Sequence, residues 1–149
     1  MKKLFWTLAF TTAVVTVVPS QAATSCHMIE AKAVGQDDGT GKTTGKVIGG
    51  GLLHGTLEGA VTPTSAPVDG VVSFTEVVKF TSELGTVTVE VAGAINLASG
   101  RFIASGSVKD ATGKLAGGTG SIALAGVVDF TTGLVTESIR GVICVDLAP

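Results

Sequence analysis

GTVTVEVAGAINLASGRF, residues 85–102, aligns without a gap on GTGSIALAGVVDFTTGLV, residues 118–135. Gly85/Gly118, Thr86/Thr119, Ala92/Ala125, Gly93/Gly126 and Gly100/Gly133 are identical, and Asn96 matches Asp129. In the first copy Val87, Val89, Val91, Ile95 and Leu97 fall on one face of a period-two pattern. Thr86, Thr88, Glu90, Ala92, Ala94 and Asn96 fall on the other. In the second copy Ile122, Leu124, Val128 and Phe130 share a side. Alternation of this kind belongs to a strand with one buried face. Each copy therefore reads as a strand, a tight turn and the start of a return strand. The glycine in mid-strand predicts a sharp bend or bulge, because it removes a side chain where the sheet must turn.

The pattern continues outward from the repeat. VVSFTEVVKFT, residues 71–81, sets Phe74, Glu76, Val78 and Phe80 against Ser73, Thr75, Val77, Lys79 and Thr81. Glu83-Leu84-Gly85, Ala98-Ser99-Gly100, Asp110-Ala111-Thr112-Gly113 and Thr131-Thr132-Gly133 separate the runs. Each supplies a glycine for the positive φ of a hairpin loop. Pro63 and Pro67 place TPTSAPVDG in a loop, and no segment has capped helical periodicity. Strands at this spacing build an all-β barrel or sandwich. The bends, and the two cysteines near the ends, favour a closed barrel.

The N-terminus has the form of a secretory leader. Met1-Lys2-Lys3 is a basic start, residues 4–18 are uncharged and apolar, and Ser20 and Ala22 are small residues before a cleavage point. The expected organisation is a signal peptide at 1–22 and one barrel domain at 23–149, in a secreted or periplasmic protein. The apolar run is shorter than the roughly 20 residues a membrane helix needs. Without Lys2 and Lys3 the chain keeps eight basic against twelve acidic residues, a net charge of −4. In an oxidising compartment Cys26 and Cys144 are expected to pair, which requires the first and last strands to be neighbours. The rival reading is lipidation at Cys26, which lacks a Leu three residues upstream.

Other function classes fail on the residues. GQDDGTGKTTGKV, residues 35–47, ends in the Gly-Lys-Thr of a phosphate-binding loop. The required first glycine would stand at position 36, which is Gln36, and the glycines that follow oppose a helix. The stretch reads as a polar loop between strands, with no nucleotide. Modest acidity argues against nucleic acid. An outer-membrane barrel would want aromatic girdles, and residues 23–149 hold no Trp or Tyr. His27 and His54, the latter expected on a strand, belong to no cluster with zinc spacing, so neither a metal nor another cofactor is expected.

A further set of glycines carries a resemblance. Thr112-Gly113-Lys114-Leu115-Ala116-Gly117-Gly118-Thr119-Gly120, Gly141-Val142-Ile143-Cys144 and the run from Gly45 to Thr56 resemble the signature of allene oxide cyclase-like and dirigent-like β-barrel proteins. Leu115 stands where an aromatic is usual. The resemblance covers most of residues 40–145. It implies an eight-stranded antiparallel barrel with an apolar interior, and a homo-oligomer, often a trimer. Such proteins steer cyclisation or radical coupling of a reactive apolar molecule, chiefly by positioning it. No catalytic residue of the plant cyclases carries over to a position here.

Two acids interrupt apolar faces. Glu76 lies in line with Phe74, Val78 and Phe80, and Glu137 with Val135, Ile139 and Ile143. Inside a barrel each would be desolvated, its pKa raised, and able to protonate or polarise a bound oxygen. Phe74, Val78, Phe80 and Ile139 are then the expected ligand-lining residues. At a barrel mouth the same acids would instead sit in water or pair with Arg101 or Arg140. Three functions follow. The barrel holds a small apolar ligand, or it is a cyclase or isomerase using Glu76 or Glu137, or it is a structural barrel filled by its own side chains.

Overall fold

The computed structural model describes residues 24–147, and the expected leader at 1–22 lies outside them. Eight antiparallel strands run in sequence: β1 (Ser25–Asp37), β2 (Lys42–Gly49), β3 (Gly55–Pro63), β4 (Val71–Ser82), β5 (Gly85–Asn96), β6 (Arg101–Ala111), β7 (Thr119–Val128) and β8 (Leu134–Val145). Each pairs with its neighbour, and β8 pairs back onto β1 from Ser25↔Val145 to Gln36↔Leu134. The sheet is thus a closed barrel. Closure leaves no row of unpaired backbone groups at an edge.

Alternation decides what fills the bore. Ile29, Ala31 and Ala33 of β1, Leu57 of β3, Val87, Val89 and Val91 of β5, and Ile122 and Leu124 of β7 point inward and are buried. The outward positions between them carry Glu30, Lys32, Lys46, Glu58, Lys79, Glu90, Lys109 and Arg140, all exposed. Charges at mid-strand on the outer face are what a hydrocarbon-facing band excludes. Among the described residues no helix is long and apolar enough to cross a membrane.

The repeated glycines, expected to mark a bend or bulge, carry no register shift; they stand where a side chain would collide. At Gly126 a side chain would meet the Phe102 ring at 2.7 Å and Glu137 Cβ at 2.7 Å. At Gly93, level with Phe74 and Ala104, it would run into the Ile103 carbonyl. The glycines let strands approach and make room in the bore for neighbouring side chains. One register shift, at Thr88/Val89, leaves Lys109 unpaired between Asp110 and Val108. Its ammonium meets Glu90 on the outer face at 3.5 Å.

The two ends of the barrel differ. At one end, short 3-10 turns at Gly51–Leu53 and Gly113–Leu115 fold Leu53 and Leu115 into the core, where both are buried. This end also holds the β4–β5 turn and the disulfide. Cys26 and Cys144 face each other across the β1–β8 ladder on outward positions, with Cα atoms 3.9 Å apart. The sulfurs are bonded to each other, as the neighbouring strands allow. At the other end the connections are 38–41, 64–70, 97–100 and 129–133. Among the described residues no 3-10 turn caps that end.

Candidate functional site: an acidic end of the bore

The uncapped end carries the acids. Glu76 on β4 and Glu137 on β8 hold inward positions, on strands that stand opposite each other in an eight-membered ring. Glu76 lies between Val61 of β3 and Val91 of β5 in the ladder, and its carboxylate rests over Gly59, where a side chain would collide with Oε1. Glu137 lies between Ala33 of β1 and Gly126 of β7. Neither carboxylate makes a hydrogen bond or an ion pair among the described residues. Both keep some contact with solvent, since no fully enclosed side-chain oxygen lacks a partner.

Two further inward residues complete the group. Asp37 ends β1, and the buried Thr43 of β2 donates from Oγ1 to Asp37 Oδ2 at 3.5 Å. Every lysine and arginine on a strand points outward. Arg140 meets Glu30 on the outer surface at 3.6 Å, and Arg101 starts β6 on an exposed position. Among the described residues the acids therefore share the bore without a cation. Burial pushes the Glu76 carboxyl up to about 7, helped by the charge of Asp37. Burial likewise pushes Glu137 up to about 7, helped by the charge of Glu76. Near neutral pH each carboxyl is thus close to half protonated, and the charge on Glu76 opposes ionisation of Glu137. One member can donate a hydrogen bond while the other accepts.

The remaining predicted residues are also inward. Phe74, Val78, Phe80 and Ile139 are all buried in the packed core, with Phe74 nearest the acidic end of β4. Two depressions lie on the outer surface of the barrel. One is lined by Ser105, Ser107, Ser121, Ala123 and Arg140, the other by Glu30, Lys32, Ile48 and Ser138.

Sequence reasoning missed Asp37 and Thr43, having read residues 35–47 as one loop. The loop is only residues 38–41, and strands continue on both sides. The inward parity Ile29, Ala31, Ala33, Gly35, Asp37 was the signal that could have found the acid. In the turn itself the backbone amides are engaged by carboxylates. Asp38 Oδ1 accepts from Thr40 N at 2.8 Å, Thr40 Oγ1 at 2.6 Å and Lys42 N at 3.3 Å, while Asp37 Oδ1 takes Gly39 N at 2.7 Å. Donation from the Thr40 hydroxyl, then its amide, lowers the Asp38 pKa. The amides that a phosphate would need are already bonded to carboxylates. His54 lies in the exposed turn before β3 and not on a strand. Among the described residues no group of three or more His, Cys, Asp or Glu could hold a metal ion.

No family model, curated protein or solved structure matches this chain.

Proposed function

We propose that this is an extracellular barrel that binds a small amphipathic molecule at the Glu76–Glu137 end of its bore. The observation that carries the reading is two inward carboxyls on opposite walls with, among the described residues, no inward cation and no hydrogen-bond partner. Groups left in that condition cost stability, and they are retained where a ligand completes their hydrogen bonds. Phe74 and Phe102 supply apolar surface beside them, as a ligand with an apolar body and a polar head requires. The secretory leader and the disulfide support the extracellular placement. The allene oxide cyclase-like and dirigent-like resemblance agrees with the barrel and with a ligand that is apolar in the main.

A second reading is an enzyme of the cyclase or isomerase kind. Two carboxyls raised toward neutral pH favour it, since one could protonate a substrate oxygen while the other accepts a proton. Native mass spectrometry of protein taken from its own secretion route tests the first reading. A co-purifying small molecule, lost in Glu76→Gln or Glu137→Gln, is the expected result. A clean unliganded mass in every preparation would refute it and leave a barrel filled by its own core. Conversion of the recovered molecule by wild type, abolished in both variants, would move the assignment to the enzyme.

A further inference from the structure

Thr62 to Val71 form the longest unbroken run of exposed residues among those described. The run contains the 64–70 connection, the longest at the uncapped end of the barrel. Its centre, Pro63-Thr64-Ser65-Ala66-Pro67, is a proline-bounded cluster of small and hydroxyl residues that neither the core nor the acidic site uses. Proline lacks an N–H and holds the residue before it extended, so Pro63 and Pro67 keep the segment open. Its two ends are pinned. Thr64 N donates to the Ser73 carbonyl at 2.8 Å, and Val68 and Val71 exchange backbone hydrogen bonds at 2.9 Å. Between these anchors Ser65, Ala66 and Pro67 belong to neither strand nor helix.

Hydroxyls in three other turns are committed. Thr40 Oγ1 donates to Asp38 at 2.6 Å, Ser99 Oγ to Asn96 at 3.1 Å and Ser82 Oγ to the Gly85 carbonyl at 3.3 Å. Within the exposed run, Ser65 Oγ accepts from Ser73 N at 3.1 Å. Thr62 lies on β3, held in the ladder opposite Thr75. Thr64 is exposed outside the strands, and its Oγ1 makes no hydrogen bond among the described residues. It is the hydroxyl that a second protein could reach and orient without breaking a turn.

We propose that Thr64 Oγ1 is an acceptor for O-linked sugar. Serine and threonine set among prolines are the composition of O-glycosylated segments. Residues 59–68 carry no charge to oppose the approach of a transferase. Asparagine-linked sugar has no acceptor here, because Asn96 is the only asparagine and Leu97-Ala98 follow it. A phosphoryl group fits less well, since no Lys or Arg lies between Glu58 and Lys79 in the chain to pair with its charge. In the transfer Oγ1 attacks the anomeric carbon of an activated sugar that carries a diphosphate there. The bond from Oγ1 to that carbon forms and the bond from the carbon to the diphosphate oxygen breaks. The hydroxyl proton passes to a base of the transferase, and the diphosphate leaves with the electron pair. The inference rests on the extracellular placement proposed above and on nothing held in the bore.

Intact mass of the secreted chain, denatured and reduced, tests it, because a bound ligand leaves under those conditions and a glycosidic bond does not. Protein from its own secretion route is expected at the mass of the chain without its leader plus whole sugar residues. Electron-transfer fragmentation should place the addition on Thr64. Thr64→Ala should lose it entirely, while Thr64→Ser and Ser65→Ala keep it, with thermal unfolding of all three unchanged as the control for folding. A leaderless chain with no addition would overturn the inference and leave the ligand reading standing. A phosphate in place of sugar, or sugar on any other residue, would also overturn it. A mass that still includes residues 1–22 would overturn the extracellular placement and the inference with it.

Discussion

The uncompensated acids make the barrel's stability fall as pH rises toward neutrality. Glu76 and Glu137 have folded-state pKa values near 7 against an ordinary value of 4.5. Between those two pH values the folded chain binds more protons than the unfolded chain, so unfolding becomes easier with each step upward. The stabilisation is fully present below about pH 4.5, is lost through the interval, and is gone above about pH 7. A shift of this size corresponds to about 3 kcal/mol for one carboxyl. The two groups feel each other, so their joint effect falls short of twice that figure and is about 3–5 kcal/mol. For a domain of this size that is a change in melting temperature on the order of 10–20 °C. Thermal unfolding of the oxidised protein, at steps from about pH 4.5 to 7.5, measures it. Wild type should melt lowest at the upper end. The Glu76→Gln, Glu137→Gln double variant should melt higher than wild type there and show little slope. Asp38 and Asp129, lowered by their turn hydrogen bonds, act only at pH below the ordinary carboxylate range and leave this window alone. A flat wild-type profile, or a slope that survives in the double variant, would refute the reasoning.

Three more outcomes follow from the packing. Cys26→Ser with Cys144→Ser should lower the denaturant midpoint, because opening a crosslink that spans 118 residues costs about 4–5 kcal/mol in the chain-entropy model. The far-ultraviolet spectrum should remain that of a barrel, since the β1–β8 ladder does not depend on the sulfurs. Gly126→Val should destabilise by about 2–4 kcal/mol in chemical unfolding, because the new side chain meets Phe102 and Glu137. Ile139→Ala, at a position with 0% exposure, should cost about 2–5 kcal/mol, read from the same curves.

Much of this fold was legible because alternation on a strand has only two outcomes. Phe74, Glu76, Val78 and Phe80 point inward as their spacing predicts, and so does Glu137 with Val135 and Ile139. Pairing of Cys26 with Cys144, expected from an oxidising compartment, required the first strand beside the last, and both are present. Parity failed where a strand ended unannounced. Leu97 and Phe130 keep the apolar rhythm past Asn96 and Val128, and only the Asx turns, which depend on backbone geometry, break it. Asp37 and Thr43 were missed for the opposite reason. Their polarity imitates a loop, although both sit on inward strand positions. The capped end was hidden as well. Leu53, next to His54, was expected on a strand and Leu115 lies in a glycine-rich stretch, while their role as plugs depends on turns of three residues each.

Closure of β8 onto β1 sets the order of assembly. Hairpins between consecutive strands form from nearby residues, but the seam joins positions as far apart as Cys26 and Cys144. Contacts that distant are the slowest to form, because the entropy of the intervening chain must be surrendered first. Until then the sheet has two free edges, at β1 and β8, each open to pairing with another chain. The cysteines meet only once that seam has zipped. Oxidation thus fixes a seam that the ladder has already joined, and a chain whose seam is still open is the one with edges exposed to aggregation.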